Sequence, residues 1–298
     1  MDLLCHVAVA VLAAALLAAA AAFALSGAER ATPGGAIGDA GLILLRARWV
    51  VLVCAAVIAL QYLVARLEGF PWSRRASKVN LQRKVQHVAT GATIVALAAV
   101  LPPELSTLAL GAAVAAFLLV QAARCHNPEV NQQFLAAFGP MLKDAERVGV
   151  RPPGAFYFLL GCFLSLLCFP RSLAVFCMLS VTVADPLAAA GGAFLGGPRL
   201  FGDKTLGGFL ACCSAGTAVA SGMALIGGVG RGASSPIASI FQWLACGLAS
   251  GVSELLGGRW PHLDDNLTSS FGAGLILRSL DVGLSLAGVQ SPLIICLG

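Results

Sequence analysis

Charged residues are scarce in this chain of 298 residues, because Asp, Glu, Lys and Arg make up 11% of it while hydrophobic residues make up 58%. The mean hydropathy is +0.88. A soluble chain of this length would show alternating or 3.6-residue apolar patterns. Here the apolar residues gather in blocks long enough to cross the roughly 30 Å of a bilayer core. The sequence therefore predicts an all-α, polytopic membrane protein.

Two further patterns are missing. The ten cysteines show neither the spacing of a disulfide framework nor a Cys/His cluster typical of zinc, and most lie inside apolar blocks. This favours a role as small packing residues. The sequence also has no basic region interleaved with aromatic residues, so nothing in it indicates nucleic-acid binding.

About nine apolar blocks are candidate membrane spans. The first one is long and has no Lys or Arg before it, which favours a signal anchor or a plain first span over a cleaved signal peptide. The blocks divide the chain into N-terminal spans over residues 1–65 and a main membrane domain over residues 66–290. The nine spans are Leu3–Leu25, Trp49–Val64, His87–Leu101, Leu105–Ala122, Gly154–Phe169, Leu173–Leu195, Gly207–Gly227, Ile237–Leu256 and Thr268–Leu286.

The distribution of Lys and Arg predicts which loops face the cytosol. Most of the 19 Lys and Arg residues lie in the loops around 66–84, 124–151, 199–204 and 259. The positive-inside rule places these loops in the cytosol. The polar motifs described below fall on or beside the same face, apart from Asp185, which lies deeper in its span.

The first motif contains Arg83, Lys84, His87 and Gly91 at the start of the third span. On a helix Arg83 and His87 share one face, which suits cationic groups that address a phosphate at the bilayer surface. The alternative is a positive-inside anchor whose long side chains extend to the interface.

Asp185 lies within an apolar span, where an ionisable group costs on the order of 3 kcal/mol. It is a candidate metal ligand or a candidate proton acceptor for a hydroxyl group. The alternative is a buried carboxylic acid that is satisfied by hydrogen bonds. Gly192 follows it in a run of small residues, a pattern that favours close helix packing.

Lys204 and Thr205 follow in a glycine-flanked segment and are candidate contacts for phosphate oxygens. Residues 197–205 come close to a P-loop signature, but Asp203 breaks its register and no strand is expected before it. The pattern therefore excludes a P-loop NTPase.

Glu254 lies in another apolar span, and Asp264, Asp265 and Asn266 follow it near the same face. Adjacent carboxylates with an amide oxygen are the hard ligands that magnesium with a bound nucleotide needs. Alternatively, Asp265 or Asn266 caps the helix that begins at about Leu267.

The long loop that contains residues 139–147 carries charges of both signs, which favours a solvated cytosolic turn. The alternative is a segment that lies along the membrane interface and helps to form a route of access for lipid.

The order of these motifs resembles the CTP-dependent lipid kinases, which are integral-membrane phytol, dolichol and CTP-using diacylglycerol kinases distantly similar to phosphatidate cytidylyltransferases. The resemblance covers Leu81–Thr268, and the loop with Gly154–Phe158 looks closer to the diacylglycerol and phytol branches. It implies transfer of the terminal phosphoryl group of CTP to a lipid hydroxyl with Mg²⁺. It also implies an endoplasmic reticulum membrane and an active site that faces the cytosol.

Carried over by motif, the resemblance implies catalytic, nucleotide-binding and metal-binding residues. The chain departs from the family pattern at Ala184-Asp185-Pro186, where relatives often have Gly-Asp, and at Gly207 and Phe209, where relatives often have Glu and Thr. It also departs at Ser269-Ser270, where relatives often have Ile-Pro. The implied residues are Asp185, Lys204 and Glu254 for catalysis; Arg83, Lys84, His87, Gly192, Thr205, Gly208 and Asn266 for the nucleotide; and Asp264 and Asp265 for the metal.

The expected function is phosphorylation of a membrane lipid, with diacylglycerol as the first choice of acceptor. Three alternatives stay open: a kinase for phytol, farnesol or dolichol, a phosphatidate cytidylyltransferase, and a non-enzymatic transporter. A transporter is less favoured because the sequence shows no inverted repeat of broken helices.

Overall fold

The structure is a computed structural model that describes residues 81–139, 142–149, 151–227, 236–257 and 264–287. The first two expected spans, Leu3–Leu25 and Trp49–Val64, lie outside the described residues. So does the expected N-terminal region of residues 1–65.

Helices account for most of the described chain, and one two-stranded hairpin interrupts them. The last helical segment begins with a short α-turn, passes through a π-helix and continues as a longer α-helix. In chain order the elements are α1 (Leu81–Val100), α2 (Pro103–His126), α3 (Pro128–Phe138), α4 (Asp144–Arg147), α5 (Gly154–Cys168), α6 (Arg171–Phe194), β1 (Arg199–Phe201), β2 (Lys204–Thr205), α7 (Leu206–Gly227), α8 (Pro236–Leu256), α9 (Asp265–Leu267), the π-helix (Thr268–Gly272) and α10 (Ala273–Leu286).

Four of the described helices, α2, α6, α7 and α8, are long and apolar enough to cross a membrane. Two shorter apolar stretches, His87–Ala99 and Gly154–Cys168, lie in α1 and α5. The expectation of a helical membrane protein is therefore confirmed, and the count of nine spans stays a prediction.

The central element is α6, which packs against α1, α5 and α7. Its side chains at Phe176, Cys177 and Met178 are fully buried. Cys162 and Cys212 are buried beside the same helix, as expected for cysteines that serve as small packing residues. Helix α2, in contrast, leaves most of its apolar side chains exposed, which suits a surface in contact with lipid.

Glycines allow α6 to approach its neighbours closely. A Cβ atom at Gly191 would lie 2.6 Å from the backbone oxygen of Gly207, and one at Gly91 would lie 2.2 Å from Oγ1 of Thr182. Small residues at such contacts let helix backbones approach each other in a membrane. The backbones of α1 and α7 thus each lie close to α6.

The fold departs from the all-α expectation at one place. Strands β1 and β2 form an antiparallel hairpin between α6 and α7, and Gly202 at its turn has a φ of 56°. A positive φ is readily adopted only by glycine. The expectation that no strand precedes residues 197–205 is confirmed, because the element before them is α6. Both strands of the hairpin lie within this segment, so Lys204 is in a strand and not in a loop that leads from a strand into a helix.

Replacing Gly191 by Ala should destabilise the α6–α7 contact, because the new methyl group would meet the backbone of Gly207 and cannot move it easily. We expect a loss of about 1–3 kcal/mol, seen as a lower midpoint of thermal unfolding in detergent. Gly222→Ala is the matched control, since a Cβ atom there meets nothing within 4 Å. Equal midpoints for the two variants would contradict this account of the contact.

Candidate functional site

A cavity of about 630 Å³ lies among α1, α2, α3, α5 and α6, and it has an apolar part and a charged part. The apolar part comes mainly from α2, α3 and α5. The charged part comes from the start of α1, from α6, from the loop before α5 and from α9. The apolar lining includes Ala113, Ala116, Phe117, Val120, Phe134, Phe138, Leu142, Ala155, Phe158 and Leu159, and the polar lining includes Arg83, Lys84, His87, Thr90, Lys143, Glu146, Asp185, Asp265 and Asn266.

At the charged end, α1 and α6 are joined by an ion pair. Nζ of Lys84 donates to Oδ2 of Asp185 at 2.6 Å, and both side chains are buried. Nε2 of His87 lies 3.8 Å from the same oxygen and 3.0 Å from the carbonyl oxygen of Val181. Lys84 and His87, which are neighbours on α1, thus form one polar cluster with Asp185, which lies about 100 positions later in the sequence.

Two neighbours of this cluster are Pro186, which follows Asp185 on α6, and Phe158 on α5. Pro186 lies inside the helix and has no N–H group, so it cannot donate the usual hydrogen bond to the carbonyl oxygen of Thr182. The ring of His87 packs edge-on against Phe158, with 4.7 Å between the ring centroids. Asp185 is therefore presented at the boundary between the polar cluster and the apolar lining.

The start of α9 brings the three residues Asp264, Asp265 and Asn266 to the cavity region. Asp264 is the N-cap, since its Oδ1 accepts from the backbone N–H of Asn266 at 3.0 Å and from the Asn266 side-chain amide at 2.8 Å. The expectation that Asp265 or Asn266 provides the cap is wrong. The helix begins at Asp265, and the residue before it is the one with extended backbone that can cap it.

Asn266 ties α9 to α5. Its side-chain amide donates to the carbonyl oxygen of Gly154 at 3.2 Å, and a Cβ atom at Gly154 would lie 2.8 Å from that amide nitrogen. This contact explains why the segment after Pro153 begins with glycine. The start of α5 and the acidic pair therefore hold each other in place.

Lys143 faces the acidic pair from the loop between α3 and α5. Its Nζ lies 3.4 Å from Oδ1 of Asp265 and 3.7 Å from Oδ2 of Asp264. Burial and the neighbouring Asp265 carboxylate raise the pKa of Asp264 to about 6. Burial also disfavours the charged form of Asp265, but Lys143 outweighs it and the pKa of Asp265 is lowered.

The acidic pair fits a magnesium ion only in combination with a ligand. No group of three or more His, Cys, Asp or Glu residues suited to a metal occurs among the described residues. Mg²⁺ is commonly held by one or two carboxylates together with substrate phosphates and water. Asp264 and Asp265 supply two carboxylates, so the arrangement suits a cation that arrives with a nucleotide.

A second polar cluster joins the hairpin to α8. Lys204 forms an ion pair with Glu254, and the Ser269 hydroxyl donates to Oε2 of Glu254 at 2.5 Å. Burial disfavours the charge on Lys204, but Glu254 outweighs it and raises the lysine pKa. Lys204 and Glu254 are not among the described residues that line the cavity, although Lys204 is close enough to Asp265 to contribute to its lowered pKa.

The remaining residues of the expected third motif lie where α7 begins. Oγ1 of Thr205 accepts from the backbone N–H of Gly208 at 3.3 Å, which caps α7. A Cβ atom at Gly208 would lie 2.9 Å from the carbonyl oxygen of Ala188, and one at Gly192 would lie 3.3 Å from Thr205. These contacts account for both glycines by packing, and their contact with a nucleotide stays a prediction.

The segment between α3 and α5 is the expected solvated turn only in part, because Asp144 and Arg147 are exposed whereas Glu146 is buried. Glu146 and Arg124 are buried, and Arg124 donates to the carbonyl oxygen of Glu146 at 2.9 Å. The Glu146 carboxylate accepts from the backbone N–H groups of Lys143 at 2.9 Å and Gly154 at 3.0 Å. Charge pattern alone indicated solvent, because the partners of Glu146 are backbone groups that a sequence does not reveal.

Sequence reasoning also missed Lys143, Glu146 and Ser269 as members of polar clusters. Lys143 and Glu146 had no sequence signal beyond a mixed charge pattern. Ser269 had one, since it stands where relatives of the resembling family often have an apolar residue. Its hydroxyl next to the buried Glu254 gives that departure a physical role.

Comparison of the chain with protein-family models, with curated proteins and with solved structures gives no match. The site must therefore be interpreted from its own geometry. That geometry combines an apolar cavity, a buried carboxylate, several cations and an acidic pair. Such a set suits an amphiphilic ligand that approaches a phosphate-bearing one.

The raised pKa of Asp264 predicts a pH dependence of stability. The folded protein holds this proton more tightly than the unfolded chain, so stability should fall as pH rises from about 4 to about 6, by up to about 3 kcal/mol. Asp264→Asn keeps a capping oxygen and cannot titrate. With EDTA present, its unfolding midpoint should rise relative to that of the wild type across this range.

The lowered pKa of Asp265 acts in a separate window, because its contribution is present above about pH 4 and is lost as pH falls below it. Asp144→Asn is the control, since Asp144 is an exposed carboxylate on α4 and not a member of the acidic pair. A difference between the unfolding midpoints of the wild type and Asp264→Asn that stays constant from pH 4 to 7 would contradict the prediction for Asp264.

Removal of the Glu146 carboxylate should destabilise the loop that positions Lys143. Glu146→Ala leaves the N–H groups of Lys143 and Gly154 without their acceptor, at a cost of about 1–3 kcal/mol. Thermal unfolding in detergent measures this loss. Glu129→Ala, which removes an exposed carboxylate from α3, should lower the midpoint much less, and an equal effect would speak against the role of Glu146.

Proposed function

We propose that this protein is a membrane-embedded kinase that transfers the terminal phosphoryl group of a nucleoside triphosphate to the hydroxyl group of a membrane lipid. CTP is the first choice of donor and diacylglycerol the first choice of acceptor, with phytol, farnesol and dolichol as further candidates. The observation that carries the proposal is the cavity that joins an apolar lining to a buried carboxylate and a group of cations.

The cavity suits a lipid alcohol because its two parts have opposite character. Acyl or isoprenoid carbons would lie against the side chains of α2, α3 and α5, such as Phe117, Phe134 and Leu159. The hydroxyl group would then lie at the end where Asp185, Lys84 and His87 meet. Helix α2 leaves most of its length exposed to the bilayer, which is where such a substrate resides.

Phosphoryl transfer depends on positioning and charge neutralisation more than on covalent help from the protein. In the proposed mechanism Asp185 orients the lipid hydroxyl and accepts its proton. Its ion pair with Lys84 holds the carboxylate at the cavity wall, where a proton acceptor must lie within reach of the hydroxyl group. Arg83, Lys84 and Lys204 neutralise the phosphates of the nucleotide.

Glu254 has a positioning role in this proposal. Both of its carboxylate oxygens are engaged, one by Lys204 and the other by Ser269. It therefore holds the Lys204 ammonium in place, whereas Asp185 lines the cavity. Of the two acids that the resemblance implies for catalysis, Asp185 and Glu254, this placement favours Asp185 as the proton acceptor.

Asp264 and Asp265 would hold Mg²⁺ together with the nucleotide phosphates, and the ion would supply further charge neutralisation. Asn266 supports the acidic pair through its bonds to Asp264 and Gly154. We further propose that the protein lies in the endoplasmic reticulum membrane with the site facing the cytosol, as the family resemblance implies.

The first test is phosphoryl transfer by the purified full chain in detergent. γ-Labelled CTP or ATP is offered with diacylglycerol, phytol, farnesol or dolichol, with and without Mg²⁺. We expect label in one lipid, which would identify donor and acceptor together. In a separate reaction α-labelled CTP is offered with phosphatidate, where transfer of the cytidylyl group to the lipid phosphate with release of pyrophosphate would identify a cytidylyltransferase. No labelled lipid in either reaction, from folded protein, would contradict an enzyme of either class.

Asp185→Asn should reduce transfer to background, because the amide cannot accept the hydroxyl proton. Asp281→Asn is the matched control: Asp281 is also a buried acid in an ion pair, 2.7 Å from Arg278, and lies roughly 24 Å further along the last helical segment than Asp265. This control should retain activity. Size-exclusion chromatography establishes folding for both variants, and an Asp185→Asn enzyme of wild-type activity would overturn the assignment.

A further inference from the structure

The ammonium group of Lys143 lies between two carboxylates of the acidic pair. It is 3.4 Å from Oδ1 of Asp265 and 3.7 Å from Oδ2 of Asp264, and both Lys143 and Asp265 line the cavity. These distances are within ion-pair range but longer than the 2.6 Å of the Lys84–Asp185 hydrogen bond. The lysine therefore compensates the charge of the two carboxylates through its proximity and forms no short hydrogen bond with either of them.

The backbone of Lys143 is fixed while its side chain keeps access to solvent. Its N–H group donates to the carboxylate of Glu146, and the Arg124 guanidinium group donates to the carbonyl oxygen of Glu146. The Lys143 side chain is nevertheless 40% exposed, compared with 9% for Lys84. A long side chain with this freedom can rotate its charge over several ångströms while its root stays in place.

We propose that Lys143 is an internal counter-cation of Asp264 and Asp265. In the absence of nucleotide its ammonium group pairs with the two carboxylates. When a divalent cation binds with a nucleotide, the side chain rotates and the ammonium group pairs with the nucleotide phosphates instead. This inference rests on the proposed function and adds a positioning residue that the sequence motifs do not contain.

Charge arithmetic supports the exchange. Two adjacent carboxylates repel each other, so the unliganded protein needs a cation beside them. A divalent cation at the same place would be repelled by the ammonium only a few ångströms away, which weakens binding of the ion alone. Phosphates that arrive with the ion offer Lys143 a new anionic partner within reach of the cavity. Lys143 thus favours the loaded nucleotide over the free ion.

The test is binding of Mn²⁺ to the purified full chain in detergent, measured by the electron paramagnetic resonance signal of the free ion. Without nucleotide, Lys143→Gln should bind Mn²⁺ at least about tenfold more tightly than the wild type, because the competing charge is gone. With a non-hydrolysable CTP analogue, this advantage should disappear or reverse, since Lys143 then contributes to the phosphates.

Three variants control the measurement. Arg147→Gln removes a cation from the same loop that pairs with the exposed Asp144, and should leave Mn²⁺ affinity unchanged. Lys143→Arg retains the charge and should behave as the wild type. Lys143→Met is a second neutral variant, which keeps the test decisive if Lys143→Gln does not elute as a folded protein.

Equal Mn²⁺ affinity of the wild type and both neutral variants would overturn the inference, and so would absence of Mn²⁺ binding in all proteins. An advantage that persists with the analogue would overturn the transfer of Lys143 to phosphate. Lipid phosphorylation is measured separately. Activity with equal Mn²⁺ affinities would refute the role of Lys143 alone, whereas tighter binding by Lys143→Gln in a chain without transferase activity would refute the proposed function alone.

Discussion

The structure depends on how it compensates the charge of acids buried among apolar helices. All four buried carboxylates among the described residues, Glu146, Asp185, Glu254 and Asp281, have hydrogen-bonded or ionic partners. An uncompensated carboxylate at such depth would cost several kcal/mol. Because the partners of Asp185 and Glu254 lie on other elements, their neutralisation also fixes how α1, α6, α8 and the hairpin meet.

The two ion pairs divide the polar region into a part that lines the cavity and a part behind it. Lys84 and Asp185 face the cavity, whereas Lys204 and Glu254 do not line it. Asp265 connects the two parts electrostatically, because both Lys204 and Lys84 contribute to its lowered pKa. In the proposed kinase the lipid hydroxyl would lie on the cavity side of the acidic pair, and the Lys204 ammonium group would lie outside the cavity lining.

The residues at which the chain departs from the expected family pattern take part in the packing around the second polar cluster. Ser269 donates to Glu254, and a Cβ atom at Gly161 would lie 1.8 Å from the hydroxyl oxygen of Ser270, so this helix start packs closely on α5. Phe209 lies against α8, where a Cβ atom at Gly251 would be 3.0 Å from its ring. The changed residues are thus part of the polar cluster and of the helix contacts around it.

The sequence by itself determined the membrane class, the positions of the described apolar helices and the residues that carry charge within them, because hydropathy and the rarity of intramembrane acids are local signals. It also placed Arg83, Lys84 and His87 on one helix, and all three line the cavity. Tertiary structure alone decided that Lys84 pairs with Asp185, that Glu254 holds Lys204, and that Lys143 and Glu146 belong to the site. Those contacts join residues far apart in the chain, and several use backbone groups that every sequence contains. Tertiary structure also decided that Asp264 caps α9, because the backbone conformation that selects a cap depends on how α9 packs against α5.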